Sequence, residues 1–92
     1  VKLVYSREAI EDLVRLREFI NQKSPEAARR IAGELLARMQ QLCLFPTMGK
    51  SVQLAPTPDI IRDFVFGDYV VRYAIHDGAI TILRIWHHLE DK

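Results

Sequence analysis

The chain has 92 residues, 49% hydrophobic and 27% charged, with 13 basic and 12 acidic side chains for a formal net charge of +1. That length holds one domain, residues 1–92, and excludes two; the apolar fraction excludes a disordered chain. The charge balance excludes a global pull towards nucleic acid, so no direct sequence-specific DNA binding is expected, and no apolar stretch reaches membrane-spanning length.

Val1 to Tyr5 is β-branched and aromatic and predicts a short strand that runs straight into charged sequence, unlike a signal peptide. Ser6 is placed to cap a helix, with Glu8 in its first turn where the helix dipole favours an acid. Ile10, Leu13, Val14, Leu16 and Ile20 recur at helical spacing and predict the buried stripe. Arg7, Glu11, Asp12, Arg15 and Glu18 fall mostly off that stripe, and the helix is expected to reach about Gln22. Ser24-Pro25-Glu26 is a strong start for a second helix, because proline at the first helical position forfeits no needed hydrogen bond. Ala28, Ile31, Leu35, Met39 and Leu42 form its stripe, to about Leu44. The very short connection predicts an antiparallel hairpin. Leu16, Phe19, Leu36 and Met39 lie near the stripe edges, where they are available to a partner.

The lone cysteine, Cys43, has no partner for an internal disulfide and lies in the apolar run Leu42-Cys43-Leu44-Phe45. It reads as a small buried hydrophobe in a protein of the reducing cytoplasm. Pro46, Gly49, Pro56 and Pro58 mark one long loop reaching about Asp59. Three strands follow, Ile60 to Phe66, Tyr69 to His76 and Ile80 to His88, joined by Gly67-Asp68 and Asp77-Gly78. Two-residue turns place Phe66 opposite Tyr69, Phe64 opposite Val71 and Asp63 opposite Arg72. In the second hairpin they place Tyr73 opposite Ile82, Val71 opposite Arg84 and Tyr69 opposite Trp86. One face then carries Phe64, Phe66, Tyr69, Val71, Tyr73, Ile75, Ile80, Ile82 and Trp86, and should lie under the helices. The other carries Asp63, Val65, Val70, Arg72, Thr81, Leu83, Ile85 and His87. The fold class is α+β: an N-terminal strand, an antiparallel helical hairpin, and a mainly antiparallel sheet ending in a three-strand meander.

The densest polar cluster is C-terminal: Arg84, then Trp86-His87-His88. Adjacent histidines of a strand point to opposite faces and do not readily share a metal, so no metal site and no cofactor are expected. Residue types alone favour ordinary surface histidines; the functional reading makes one of them a general acid or base near Arg72. Arg72 opposite Asp63 is most simply a cross-strand ion pair. Arg62 and Arg84 fall on the helix-covered face, placed to pair with helix acids or to meet a phosphate or a partner carboxylate. No glycine-rich phosphate loop, nucleophile elbow or paired-histidine helix motif is present.

Several stretches, taken together and in order, resemble the RelE/ParE toxin superfamily across essentially the whole chain. They are Ala9 with Asp12-Leu13, Ser24-Pro25-Glu26-Ala27-Ala28, the set Leu42, Pro46 and Gly49, the hairpin from Arg62 to Tyr73, and Ile80-Thr81-Ile82-Leu83-Arg84-Ile85-Trp86-His87. The resemblance implies a cytoplasmic toxin of a type II toxin–antitoxin module of the kind that stabilises plasmids. Its partner would be a ParD-like antitoxin whose C-terminal helix and tail wrap the toxin, with Leu16, Phe19, Leu36 and Met39 as candidate contacts. ParE-like members poison DNA gyrase, whereas RelE-like members cleave mRNA on the ribosome. RelE-type nucleases place an arginine directly after the tyrosine that begins the middle strand; here Val70 follows Tyr69, which favours the ParE branch and a non-enzymatic toxin. Candidate target contacts are Arg62, Arg72, Arg84 and His87. Under the endoribonuclease alternative the candidate catalytic residues are Arg72, His87 and His88.

Overall fold

The computed structural model describes residues 2–52 and 60–88. The elements are β1 (Lys2–Tyr5), α1 (Arg7–Lys23), α2 (Pro25–Leu44), β2 (Lys50–Ser51), β3 (Ile61–Phe66), β4 (Tyr69–His76) and β5 (Ala79–His87). They build one five-stranded sheet of order β1-β5-β4-β3-β2, antiparallel except that β1 lies parallel to β5. The short strand β2, which the sequence reading places inside the loop, pairs with β3 through Lys50–Asp63 and Ser51–Arg62. Pro56, Pro58 and Asp59 of that loop lie outside the described residues, as does Leu89 after the final strand.

Both helix starts are serine caps. The Ser6 hydroxyl accepts from the Ala9 N–H at 3.0 Å and the Ser24 hydroxyl from the Ala27 N–H at 3.2 Å. Ser24 also donates its own N–H to the Ile20 carbonyl, so one residue closes α1 and opens α2. The Asp77-Gly78 turn has positive φ at both residues, 50° and 71°, which matches the twist of a two-residue hairpin and suits glycine. The core joins Ala9 and Leu16 of α1 and Leu35, Met39 and Leu42 of α2 to Val71, Tyr73, Ile80, Ile82 and Ile85 of the sheet. Cys43 is half-buried and free rather than fully enclosed.

Two features differ from the sequence reading. The buried line of α1 is Ala9, Asp12 and Leu16, so the helix is rotated about its axis. Ile10 and Val14, expected inside, are exposed, and Asp12, expected outside, is buried. The second feature is a bulge. The β4–β5 register follows expectation from His76–Ala79 to Tyr73–Ile82, then shifts so that Arg72 faces Arg84, with Leu83 as the extra residue. Val71 therefore opposes Ile85, and Tyr69 opposes His87 rather than Trp86. Ile85 enters the core, while Trp86, opposite Val70, goes to the face away from the helices.

The bulge sits where β5 loses its strand partner. β1 pairs with β5 only as far as Ile82; beyond that point polar groups at the start of α1 bond to β5. The Ser6 N–H donates to the Ile82 carbonyl at 2.9 Å and the Ser6 hydroxyl to the Leu83 carbonyl at 2.9 Å. Asp12 accepts from the Ile85 N–H at 2.9 Å, and Arg15 donates to the Ile85 carbonyl at 3.3 Å. An otherwise bare strand edge is thus satisfied by the capping Ser6 and by side chains of α1.

Candidate functional site

The candidate arginines are all held by this framework. Arg72 grips Asp63 with two parallel hydrogen bonds of 2.8 and 2.9 Å, which raise the guanidinium pKa despite partial burial. Its charged end lies 5.1 Å from the centroid of the Trp86 ring, a cation–π contact on the face away from the helices. Trp86 is 7% exposed there. It is buried, as expected, but not beneath the helices with Tyr69.

Arg84 reaches α1 and donates to both oxygens of Asp12, at 2.8 and 3.1 Å. Asp12 is 3% exposed and also accepts from the Ile85 N–H and from Arg15. Burial works against the ionised carboxylate. The bonds from Arg84 and Ile85, with the charges of Arg84 and Arg15, outweigh it and hold the pKa below the usual carboxylate value. Arg62 donates from Nη1 to the Gly49 carbonyl at 2.8 Å, and its Nε is buried without a partner among the described residues. Beside it the Tyr73 hydroxyl donates to the Pro46 carbonyl at 2.7 Å and accepts from the Gly49 N–H at 2.9 Å. Burial raises the Tyr73 pKa, offset in part by the Gly49 N–H and the Arg62 charge. This node ties the turn after α2 to the sheet. Gly49 is essential to it, because an added Cβ would stand 2.8 Å from both the Asp63 carbonyl and the Tyr73 hydroxyl.

His87 packs edge-on against Tyr69, with ring centroids 5.3 Å apart, and stacks on His88 at 4.9 Å. The adjacent histidines come together, contrary to the alternation argument, because β5 ends at His87 and His88 lies in the following turn. His88 Nδ1 is 3.2 Å from the Asp68 carbonyl oxygen. The structure thus brings His87 and His88 together, while Arg62, Arg72 and Arg84 serve three separate anchoring points.

The partner-facing candidates divide in two. Leu16 and Met39 are core residues, because the rotation of α1 and the inward stripe of α2 point them at the sheet. Phe19 and Leu36 remain on the surface, 52% and 47% exposed, joined by Ile10 and Val14. Lys23 lies over the Phe19 ring at 4.7 Å. Between the helices, Leu13, Val14, Arg17, Ala32 and Leu36 line an apolar groove of about 180 Å³. Asp12 is the functional anchor that the sequence reading missed. Its sequence signals are its position between Ala9 and Leu16 and its place in the Ala9, Asp12-Leu13 stretch of the resemblance; neither shows its burial, because its main partners lie 72 and 73 residues away.

The model of the ParE toxin of the type II toxin–antitoxin system, parDE, matches residues 3–92. The chain belongs to the ParE toxin family. This ParE-family toxin is 34% identical over 86 residues to toxin RelE2 of Caulobacter vibrioides, covering 94% of the chain and 93% of that protein. It is 32% identical over 90 residues to toxin RelE1 of the same organism, covering 98% and 96%. A chain from the chromosomal ParDE toxin–antitoxin system of P. aeruginosa shares its fold, with a TM-score of 0.76 and 19% identity over 95% of each chain. A conserved hypothetical protein of Helicobacter pylori, solved in solution, aligns at a TM-score of 0.60 and 16% identity over 98% of this chain and 97% of that one. The toxin is thus a type II toxin–antitoxin toxin of the RelE/ParE superfamily. Among the described residues, no helix is long and apolar enough to cross a membrane.

Proposed function

We propose that this toxin acts in the cytoplasm by binding and blocking DNA gyrase, without cutting RNA, and that a ParD-like antitoxin neutralises it. The observation that carries this reading is the engagement of the three candidate arginines, Arg62, Arg72 and Arg84. Cleaving RNA calls for a cation free to stabilise the phosphate in the transition state, with a base beside it. Here Arg72 is clamped by Asp63 and stacked on Trp86, Arg84 is bound to the buried Asp12, and Arg62 holds the Gly49 carbonyl. Val70 stands where a RelE-type nuclease would carry its arginine. The exposed apolar side chains of the hairpin, with the groove between the helices, suit the antitoxin's amphipathic helix.

A second reading, a ribosome-dependent endoribonuclease, is favoured by the names of the Caulobacter relatives and by the juxtaposed His87 and His88. A gyrase supercoiling assay beside a translation-dependent mRNA cleavage assay separates the two. The gyrase reading expects inhibited supercoiling, intact mRNA, and no ribonuclease activity to lose on His87→Ala or His88→Ala. Ribosome-dependent cleavage by the wild type, abolished by either substitution, would transfer the assignment to the nuclease.

A further inference from the structure

Among the described residues, the exposed large apolar side chains fall into two groups, Val65 apart. Ile10, Val14, Phe19 and Leu36 belong to the helical hairpin; Leu44, Phe45 and Met48, 75%, 63% and 40% exposed, lie together where α2 ends. Leu36 closes the groove suited to the antitoxin, and Leu44 stands two turns further on, about 12 Å along the helix axis. The segment that carries the second group is tied down along its length. The Phe45 N–H donates to the Gln41 carbonyl and the Met48 N–H to the Phe45 carbonyl, both at 3.0 Å. The buried Tyr73 hydroxyl holds the Pro46 carbonyl and the Gly49 N–H, and Arg62 holds the Gly49 carbonyl. Lys50 and Ser51 then join the sheet as β2. A loose loop could fold its apolar side chains inward; this one presents them at fixed positions, so little ordering entropy remains to be lost on binding.

We propose that Leu44, Phe45 and Met48 are the surface by which the toxin holds gyrase, filling an apolar recess of the target whose rim carries an acid for Lys50. The proposal rests on the gyrase reading above. Blocking a large protein calls for a protein–protein contact with apolar anchors, and Arg62, Arg72 and Arg84 are engaged inside the toxin's own fold. The charge around the three side chains has one sign. From Leu35 to Pro58 the only charged residues are Arg38 and Lys50, and Asp63, opposite Lys50 on β3, is committed to Arg72. The exposed Lys50 ammonium, just past Met48, therefore selects a partner with a carboxylate beside the recess. A second copy of this chain is a poorer occupant. A two-fold contact centred on these side chains would bring two Lys50 ammonium groups towards each other, like charge against like.

The test measures binding of the full-length toxin to purified gyrase by surface plasmon resonance, beside supercoiling inhibition, affinity for the antitoxin encoded beside its gene, and melting temperature. The double variant Leu44→Gln, Phe45→Ser changes side chains that stand in water, so its melting temperature should move by no more than about 4 °C. It should keep its antitoxin affinity and lose roughly 30-fold or more in gyrase affinity and inhibition, the size of a hot-spot loss. Lys50→Glu should lose roughly tenfold, and rising salt should weaken the wild-type complex but not this one. Full gyrase affinity in the folded double variant would overturn the surface and leave gyrase as the target. Unchanged affinity in Lys50→Glu would overturn the acid at the rim. Antitoxin affinity lost in the double variant while gyrase still binds would make the antitoxin the occupant and overturn the proposal. A free toxin that sediments as a dimer, dissociated by the double substitution with gyrase affinity kept, would make the second copy the occupant and overturn it likewise. Wild-type toxin that neither binds nor inhibits gyrase would overturn the gyrase reading and the proposal with it.

Discussion

Removing the Asp12 carboxylate should be among the most damaging small changes on α1. Asp12→Ala deletes the acceptor for the Ile85 N–H, which then stays buried and unpaired at a cost of about 1–3 kcal/mol. It also ends the pairs with Arg84 and Arg15, whose side chains are roughly half exposed, so each pair adds only about 0–1 kcal/mol. The total is about 1–5 kcal/mol, most of it from the stranded N–H. Asp12→Asn keeps an oxygen for the Ile85 N–H and should cost about half as much. Arg84→Ala should cost least, because Asp12 keeps Arg15 and the Ile85 N–H. Urea unfolding with an unchanged m-value measures all three as shifts of midpoint. The pH dependence has a definite sign. The folded-state pKa of Asp12 is lowered, so its stabilisation is complete above the unfolded carboxylate value of about 3.9 and is lost as pH falls through the lower folded value. The gap between wild type and Asp12→Asn should therefore be flat above about pH 5 and close in acid. An Asp12→Ala cost below that of Arg84→Ala, or a gap that widens in acid, would refute the reasoning.

Trp86→Ala should cost about 3–5 kcal/mol although the ring lies on the face away from the helices, because it is nearly fully enclosed and carries Arg72; chemical denaturation checks this. Tyr73→Phe should cost about 1–3 kcal/mol by stranding the Gly49 N–H and the Pro46 carbonyl, and Gly49→Ala should be at least as harmful because its Cβ meets backbone; melting temperatures read both. Phe19→Asp should leave the toxin folded and weaken the antitoxin complex, whereas Leu16→Asp should unfold the toxin itself; circular dichroism beside a pull-down with the antitoxin tells them apart.

Much of this fold was legible because local chemistry and tertiary demand agree. Ser24-Pro25 and Asp77-Gly78 each permit few backbone solutions, and the β3–β4 register, with Asp63 opposite Arg72, follows from a single turn. The second hairpin was legible only as far as Tyr73–Ile82. Beyond it the bulge at Leu83 answers to the end of β1 and the arrival of Ser6, and neither is encoded near residue 83. The same blindness hid Asp12. Periodicity sorts side chains by polarity, so it sent an acid outward and Ile10 and Val14 inward, when the paired acid is the buried one. Of the candidate site, Phe19 and Leu36 stayed at the surface, while Leu16 and Met39 had stronger claims from the core.

The use of α1 side chains in place of a strand along β5 has a consequence for how the toxin comes into being. β1 finds its strand partner, and Asp12 its main partners, only in the last strand described, more than 70 residues downstream. During synthesis the first strand and helix leave the ribosome with a half-made edge and an acid paired only with Arg15, and they wait for nearly all the rest of the chain. Contacts of such long range form late and slow the search for the native state. A ribosome that stalls before Ala79 releases a polypeptide lacking both the parallel mate of β1 and the Arg84 and Ile85 partners of Asp12. The completed fold, and any poison it carries, therefore arises only after the final strand has been translated, which leaves an interval in which an antitoxin already present can be waiting.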